Sequence, residues 1–133
     1  MSLRDQILSS DDIVREPVTI PEWKDANGEP TIVEVRSMSG AERTRILDLA
    51  IQDGGEMNLQ MVYPEVVIAS AFDPQTGEQV FTPADRDALQ QKNAKATDRI
   101  AQVGLRLGGF SAEAVDAVGK DSSSDLTAGS SSV

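Results

Sequence analysis

Few side chains in this chain could carry out chemistry, because its 133 residues include no histidine and no cysteine. Histidine is the commonest general acid or base and, with cysteine, supplies most nucleophile pairs and many metal ligands. Catalysis would have to rely on carboxylates, lysines or the single tyrosine, Tyr63. The lack of cysteine also excludes disulfides and fits a reducing compartment. We therefore expect a protein that is not an enzyme and needs no cofactor or metal ion.

Three short segments have the composition of ligand-binding loops. Residues 25–29 (DANGE) have a glycine at the wrong position for an EF-hand and lack its distal glutamate, so they are predicted to form a hairpin turn. Residues 73–78 (DPQTGE) likewise predict a turn rather than a metal site. Gly119 and Lys120 resemble the end of a phosphate loop, but Ala114 stands where that motif requires glycine.

The overall composition describes an acidic protein with an aliphatic core. The formal net charge is −10, and 39% of the residues are hydrophobic while only 4% are aromatic. Nucleic acids and anionic membranes attract basic proteins, so neither is expected as a partner. No apolar run approaches the roughly 20 residues that span a bilayer, and the N-terminal residues lack a signal-peptide core. We expect a cytosolic protein.

The elements that would position these side chains predict an α+β fold. It is mostly helical, with one N-terminal antiparallel β-hairpin at about residues 17–36. Two prolines make residues 16–23 typical of an edge strand. In the second strand, Thr31, Val33 and Val35 alternate onto one face.

Capping signals predict where the first helices lie. A short helix spans about residues 2–9, and Ser39 with Glu42 forms a capping box for a helix that ends near residue 52. A buried helix is expected to begin near residue 58 or 64 and to end at Phe72. The alternative is a strand at residues 66–72, since β-branched runs fit both structures.

The C-terminal third is also predicted to be helical. The pattern covers residues 83–107 with a break near Asn93, and a last short helix is expected at 111–118. From Lys120 onward the chain is rich in serine and poor in apolar residues. We therefore expect one domain at residues 1–119 and a flexible tail at 120–133.

Basic residues concentrate in this helical third. Between Arg86 and Arg106 there are five basic residues against two acidic ones. Four of them form a stripe beside the apolar face of the helix. This basic stripe consists of Lys92, Lys95, Arg99 and Arg106. It is either a solvated flank or a docking face for an acidic partner or for another copy of the chain.

Several of these segments together resemble tail assembly chaperones of long-tailed bacteriophages, particularly those that infect actinobacteria. The resemblance covers roughly residues 1–120. It consists of packing and capping patterns and includes no reactive motif. Its segments are residues 1–8, 35–43, 63–69, 72–86 and 105–120.

The resemblance implies an assembly factor of the host cytoplasm that is absent from the mature virion. Such proteins coat the long, helical, aggregation-prone tape measure protein and help tail-tube subunits to polymerise around it. The implied partners are the tape measure protein, the tail-tube protein and further copies of the chain. The resemblance also implies a longer form of the protein, made by a programmed ribosomal frameshift near residues 118–120.

The contact surface is expected to be apolar, because the task is to shield apolar helix surface. The candidate residues are exposed apolar side chains near the last helix together with the basic stripe. They are Leu107, Phe110, Val115, Lys92, Lys95, Arg99 and Arg106.

Two other functions fit the sequence. A structural protein of the phage tail would remain in the particle, and a small acidic adaptor would bind a host protein instead.

Overall fold

A computed structural model describes the chain at residues 2–51 and 62–110. The elements over these residues are α1 Leu3–Ser9, β1 Arg15–Lys24, β2 Pro30–Arg36, α2 Gly40–Ala50, α3 Tyr63–Ser70, β3 Ala71–Phe72, α4 Arg86–Gln90 and α5 Ala94–Leu107. A 3₁₀ turn, Pro83–Asp85, leads into α4. The α+β class and the N-terminal antiparallel hairpin expected from the sequence are confirmed.

The turn between β1 and β2 explains why residues 25–29 carry polar side chains. One carboxylate oxygen of Asp25 accepts backbone N–H bonds from Asn27 and Glu29, each at 2.9 Å. Gly28 has a φ of +80°, a left-handed conformation that glycine adopts without steric cost. The loop is therefore a hairpin turn held by one aspartate.

The hairpin is part of a three-stranded sheet with the order β1-β2-β3 over the described residues. As the alternation predicted, Val33 and Val35 of β2 are buried, while Ile32 on the other face is 51% exposed. β1 lies at an edge of this sheet, the position in which prolines are tolerated within strands.

The predicted buried helix is shorter than expected. α3 begins at Tyr63 with Pro64 in its first turn, but it ends at Ser70 instead of Phe72. The next two residues form β3 because Ala71 pairs with Val35 of β2 and Phe72 pairs with Glu34. The helix and strand alternatives thus each describe part of this segment.

The core lies between the inner face of the sheet and the helices α3 and α5. These two helices contact each other, and α5 contacts both long strands. The fully buried aliphatic side chains come from all of these elements and from α2. They include Ile20, Val35, Ile46, Val66, Val67 and Ile100.

The break near Asn93 is confirmed, and it separates α4 from α5. The side-chain oxygen of Asn93 accepts a 2.8 Å bond from the N–H of Lys95, which caps α5. α5 ends at Leu107, followed by Gly108 and Gly109. The expected helix at 111–118, the tail at 120–133 and the start of a helix near residue 58 lie outside the described residues.

Candidate partner-binding surface

The described residues offer no obvious centre for chemistry. Within residues 2–51 and 62–110, no group of three or more histidine, cysteine, aspartate or glutamate side chains could hold a metal ion. The same residues contain no helix whose length and apolarity would let it cross a bilayer.

Half of the basic stripe is used inside the molecule. Arg99 donates two hydrogen bonds to the carboxylate of Glu22 on β1, at 2.8 and 2.9 Å. Arg106 donates to both carboxylate oxygens of Glu16, at 2.7 and 2.9 Å. These two pairs fasten α5 along the edge strand.

The Glu22 pair changes the acid–base properties of both partners. The hydrogen bonds from Arg99 lower the pKa of Glu22 from 4.5 to about 2. The same contact raises the pKa of Arg99. Both groups remain charged at neutral pH, so this part of the stripe faces a fixed negative charge rather than an open docking surface.

The other half of the stripe is available to solvent. Lys92 and Lys95 are exposed; Lys92 lies in the connection between α4 and α5, and Lys95 lies in the first turn of α5. Neither forms an ion pair with any part of the chain that the structure describes. Lys92 and Lys95 therefore place two accessible positive charges on a protein whose net charge is −10.

The expectation that Phe110 is exposed is wrong, because Phe110 is only 5% exposed. The N–H of Phe110 donates to the carbonyl of Leu105 at 2.7 Å, and that of Gly109 donates to Arg106 at 3.1 Å. This pair of bonds is a Schellman motif, with Gly109 at a φ of +84°, and it turns Phe110 back onto the core. The sequence signal for the burial of Phe110 was its position two residues after the C-cap residue Gly108.

Leu107 is half-buried and packs against the hydrophobic core. Val115 lies outside the described residues. Substitutions at Leu107 and Phe110 would thus test folding before they test partner binding.

A cleft lies beside Lys92, between α3, α4 and the start of α5. Its volume is about 430 Å³, and its lining is mostly apolar. Val67 and Leu89 are buried within the lining, and Tyr63 and Pro64 are half-buried there. The polar part of the lining comes from Gln90, Lys92, Thr97 and Asp98.

A buried carboxylate stabilises the helices around this cleft. Glu65, in the first turn of α3, accepts hydrogen bonds from the guanidinium of Arg86 through both of its oxygens. Arg45 of α2 lies 3.5 Å from the same carboxylate. The hydrogen bonds from Arg86 lower the pKa of Glu65, and burial opposes this shift. Glu65 thus links α2, α3 and α4 as an anion.

The largest exposed apolar side chains belong to α1. Ser2 caps this helix, which contains no buried residue. Leu3, Ile7 and Leu8 are 70%, 57% and 68% exposed. An isolated helix of seven residues is marginal in water, so packing against another surface would stabilise α1. The sequence predicted a short helix at about residues 2–9 but did not indicate that the body leaves these three side chains uncovered.

Comparison with known proteins supports the fold. No family model matches the chain, and no curated protein matches it. The structure is similar to that of the tail assembly chaperone of bacteriophage HK97, with a TM-score of 0.52 and 18% sequence identity. The similarity covers 78% of this chain and 91% of that chain. At this identity the similarity demonstrates a shared fold.

Proposed function

We propose that the protein is a phage tail assembly chaperone that binds the tape measure protein and keeps it soluble while the tail tube assembles. The observation that carries the proposal is the fold, which is shared with the HK97 tail assembly chaperone over nearly the whole of that chain. The activity is binding and release without bond chemistry. It takes place in the host cytoplasm, and the protein is absent from the finished virion.

α1 is the surface that we assign to shielding the tape measure protein. An amphipathic helix is recognised by an apolar surface that buries its apolar stripe, and the three exposed side chains of α1 provide such a surface. Because none of the residues of α1 is buried, this helix contributes little to the stability of the body. Binding and folding can therefore be separated by mutation.

Replacing Leu3, Ile7 and Leu8 together by glutamine should weaken the chaperone without unfolding it. Co-expression of the wild-type protein should keep the cognate tape measure protein in the soluble fraction, and the triple variant should leave most of it in the pellet. The melting temperature should change little, because exposed substitutions usually alter the free energy of unfolding by no more than about 0.5 kcal/mol.

A matched control removes exposed apolar side chains elsewhere. Ile32→Gln with Val80→Gln changes residues that are 51% and 42% exposed on the body. This control should solubilise the tape measure protein as well as the wild type does. Equal solubilisation by the α1 variant would exclude α1 as the contact surface, and failure of the wild type itself would contradict the function.

The proposal also includes further partners and a longer form of the protein. The tail-tube protein and further copies of the chain are additional proposed partners. A longer frameshifted form would require a slippery heptamer and an overlapping reading frame near codons 118–120. The nucleotide sequence tests this directly. A structural tail protein, the alternative function, would be detected by mass spectrometry of purified virions.

A further inference from the structure

The cleft between α3, α4 and α5 has the size and the lining of a binding pocket. Its volume of about 430 Å³ falls in the range of ligand pockets, roughly 300 to 1,000 Å³. Val67 and Leu89 in the lining are already buried, so the apolar surface open to a partner comes from the half-buried Tyr63 and Pro64. A single bulky apolar side chain from a partner would cover Tyr63 and Pro64, as anchor residues do at protein interfaces.

The electrostatics of the cleft favour a negatively charged neighbour of that anchor. Lys92 lines the cleft. Lys95, in the first turn of α5, lies outside the lining and, after Arg99, contributes to the lowered pKa of Glu22 on β1. The first turn of α3 also borders the cleft, and its start has no side-chain cap. Glu65, in that same first turn, offsets the positive end of this helix dipole, so the attraction comes from the lysines. Asp98 is the opposing charge in the lining, and it lies one helical turn beyond Ala94.

The rest of the molecule discourages an acidic partner. With a net charge of −10, the surface repels acidic segments at long range, while Lys92 and Lys95 attract them locally. This charge pattern contributes little to the affinity of an acidic segment. Its main effect is to restrict where on the surface the segment binds and in which orientation. The other two members of the basic stripe cannot serve in this way, because Glu22 and Glu16 already neutralise them.

We propose that this cleft docks an amphipathic helix of the partner through one bulky apolar side chain that has a carboxylate one helical turn away. The apolar side chain packs against Tyr63 and Pro64, above the already buried Val67 and Leu89. The carboxylate pairs with Lys92 or Lys95. The inference rests on the proposed function, since it assigns the acidic amphipathic segment to the tape measure protein, and it adds the chemistry by which that segment is recognised.

The test measures the binding of the purified full-length protein to overlapping peptides that span the tape measure protein, by fluorescence anisotropy. The strongest binders should contain an apolar residue followed one turn later by an acidic one. Lys92→Glu with Lys95→Glu should weaken their binding about tenfold and flatten its dependence on salt. Ala94→Trp, which places an indole at an exposed position of the cleft lining, should weaken it comparably.

A charge exchange distinguishes direct contact from a general electrostatic effect. Replacing the acidic residue of the peptide by lysine should weaken binding to the wild type and restore binding to the Lys92→Glu, Lys95→Glu variant. The control Arg15→Glu with Lys24→Glu reverses two exposed cations that lie outside both the cleft and α1, and it should leave the affinity unchanged.

The experiments distinguish a failure of the docking proposal from a failure of the chaperone function. If peptides bind the wild type but the cleft variants bind them equally well, the cleft is not the docking site, while the chaperone function stands. If the charge exchange restores nothing, the carboxylate does not pair with these lysines and the proposal is overturned. If neither the peptides nor the co-expressed tape measure protein bind the wild type, the proposed function fails as well.

Discussion

Replacing Gly104 by valine should destabilise the domain by about 3 kcal/mol, at the upper end of the usual cost of overpacking a core. Gly104 lies in α5 where this helix approaches α3. A Cβ atom added there would stand 2.7 Å from the hydroxyl oxygen of Ser70 and 2.8 Å from a methyl carbon of Val66. Ser70 cannot move aside freely, because it is fully buried and its hydroxyl donates a 2.6 Å bond to the carbonyl of Val66. The helices would have to separate.

Gly40→Val is the matched control for this clash. Gly40 is the first residue of α2, and an added Cβ would meet no atom within 4 Å. Valine also has a slightly better helix propensity than glycine, so the control should be neutral within about 0.5 kcal/mol. Urea unfolding followed by circular dichroism measures both variants. Similar midpoints for the two would show that α3 and α5 are not in close contact at Gly104.

Glu65 should make the domain sensitive to acid. Glu65→Ala should cost about 1.5–3 kcal/mol at neutral pH, the range for hydrogen bonds to charged groups, because Arg86 and Arg45 remain half-exposed and can be hydrated. The loss is smaller than for a fully buried pair, where an unpaired charge would stay in the interior.

The direction of the pH dependence follows from the lowered pKa of Glu65. Its pKa lies below 4.5 in the folded state because of the hydrogen bonds from Arg86. As the pH falls below 4.5, the unfolded chain takes up the proton first, so the stabilisation is complete above 4.5 and is lost at lower pH. Glu22, with a pKa of about 2, acts in the same direction.

Urea midpoints measured from about pH 7 down to about pH 3 check this dependence. Glu65→Gln keeps the shape of the side chain and removes the titration, so its midpoint should fall less steeply with acid than that of the wild type. Glu78→Gln, in an exposed turn, should leave the steepness unchanged. Equal slopes for the wild type and Glu65→Gln would exclude the proposed role of Glu65.

Local signals explain what could be predicted from the sequence. The hydroxyl of Ser39 accepts a 3.2 Å bond from the N–H of Glu42, which is one half of the predicted capping box, while the Glu42 carboxylate accepts a hydrogen bond from Arg45. The helix break was predicted near Asn93, and Asn93 caps α5 there. Both depend on residues no more than three apart. The alternation of Val33 and Val35 likewise determined which face of β2 is buried.

Contacts between distant residues explain what could not be predicted. β3 exists because Ala71 meets Val35 across the sheet, and no pattern within residues 66–72 contains that information. The basic stripe was expected to be open along its length, but Arg99 bonds to a glutamate 77 residues away and Arg106 to one 90 residues away. The cleft was missed for the same reason, since its lining comes from three helices.

The central claim is that the protein keeps the tape measure protein from aggregating by binding it. The most direct measurement is light scattering after the tape measure protein is diluted from denaturant, with and without the purified wild-type protein. We expect scattering to fall in proportion to the added protein, without ATP, and the α1 variant to suppress it much less. If an excess of the wild-type protein leaves the scattering as high as an equal mass of serum albumin does, the protein is not a chaperone of its tape measure protein.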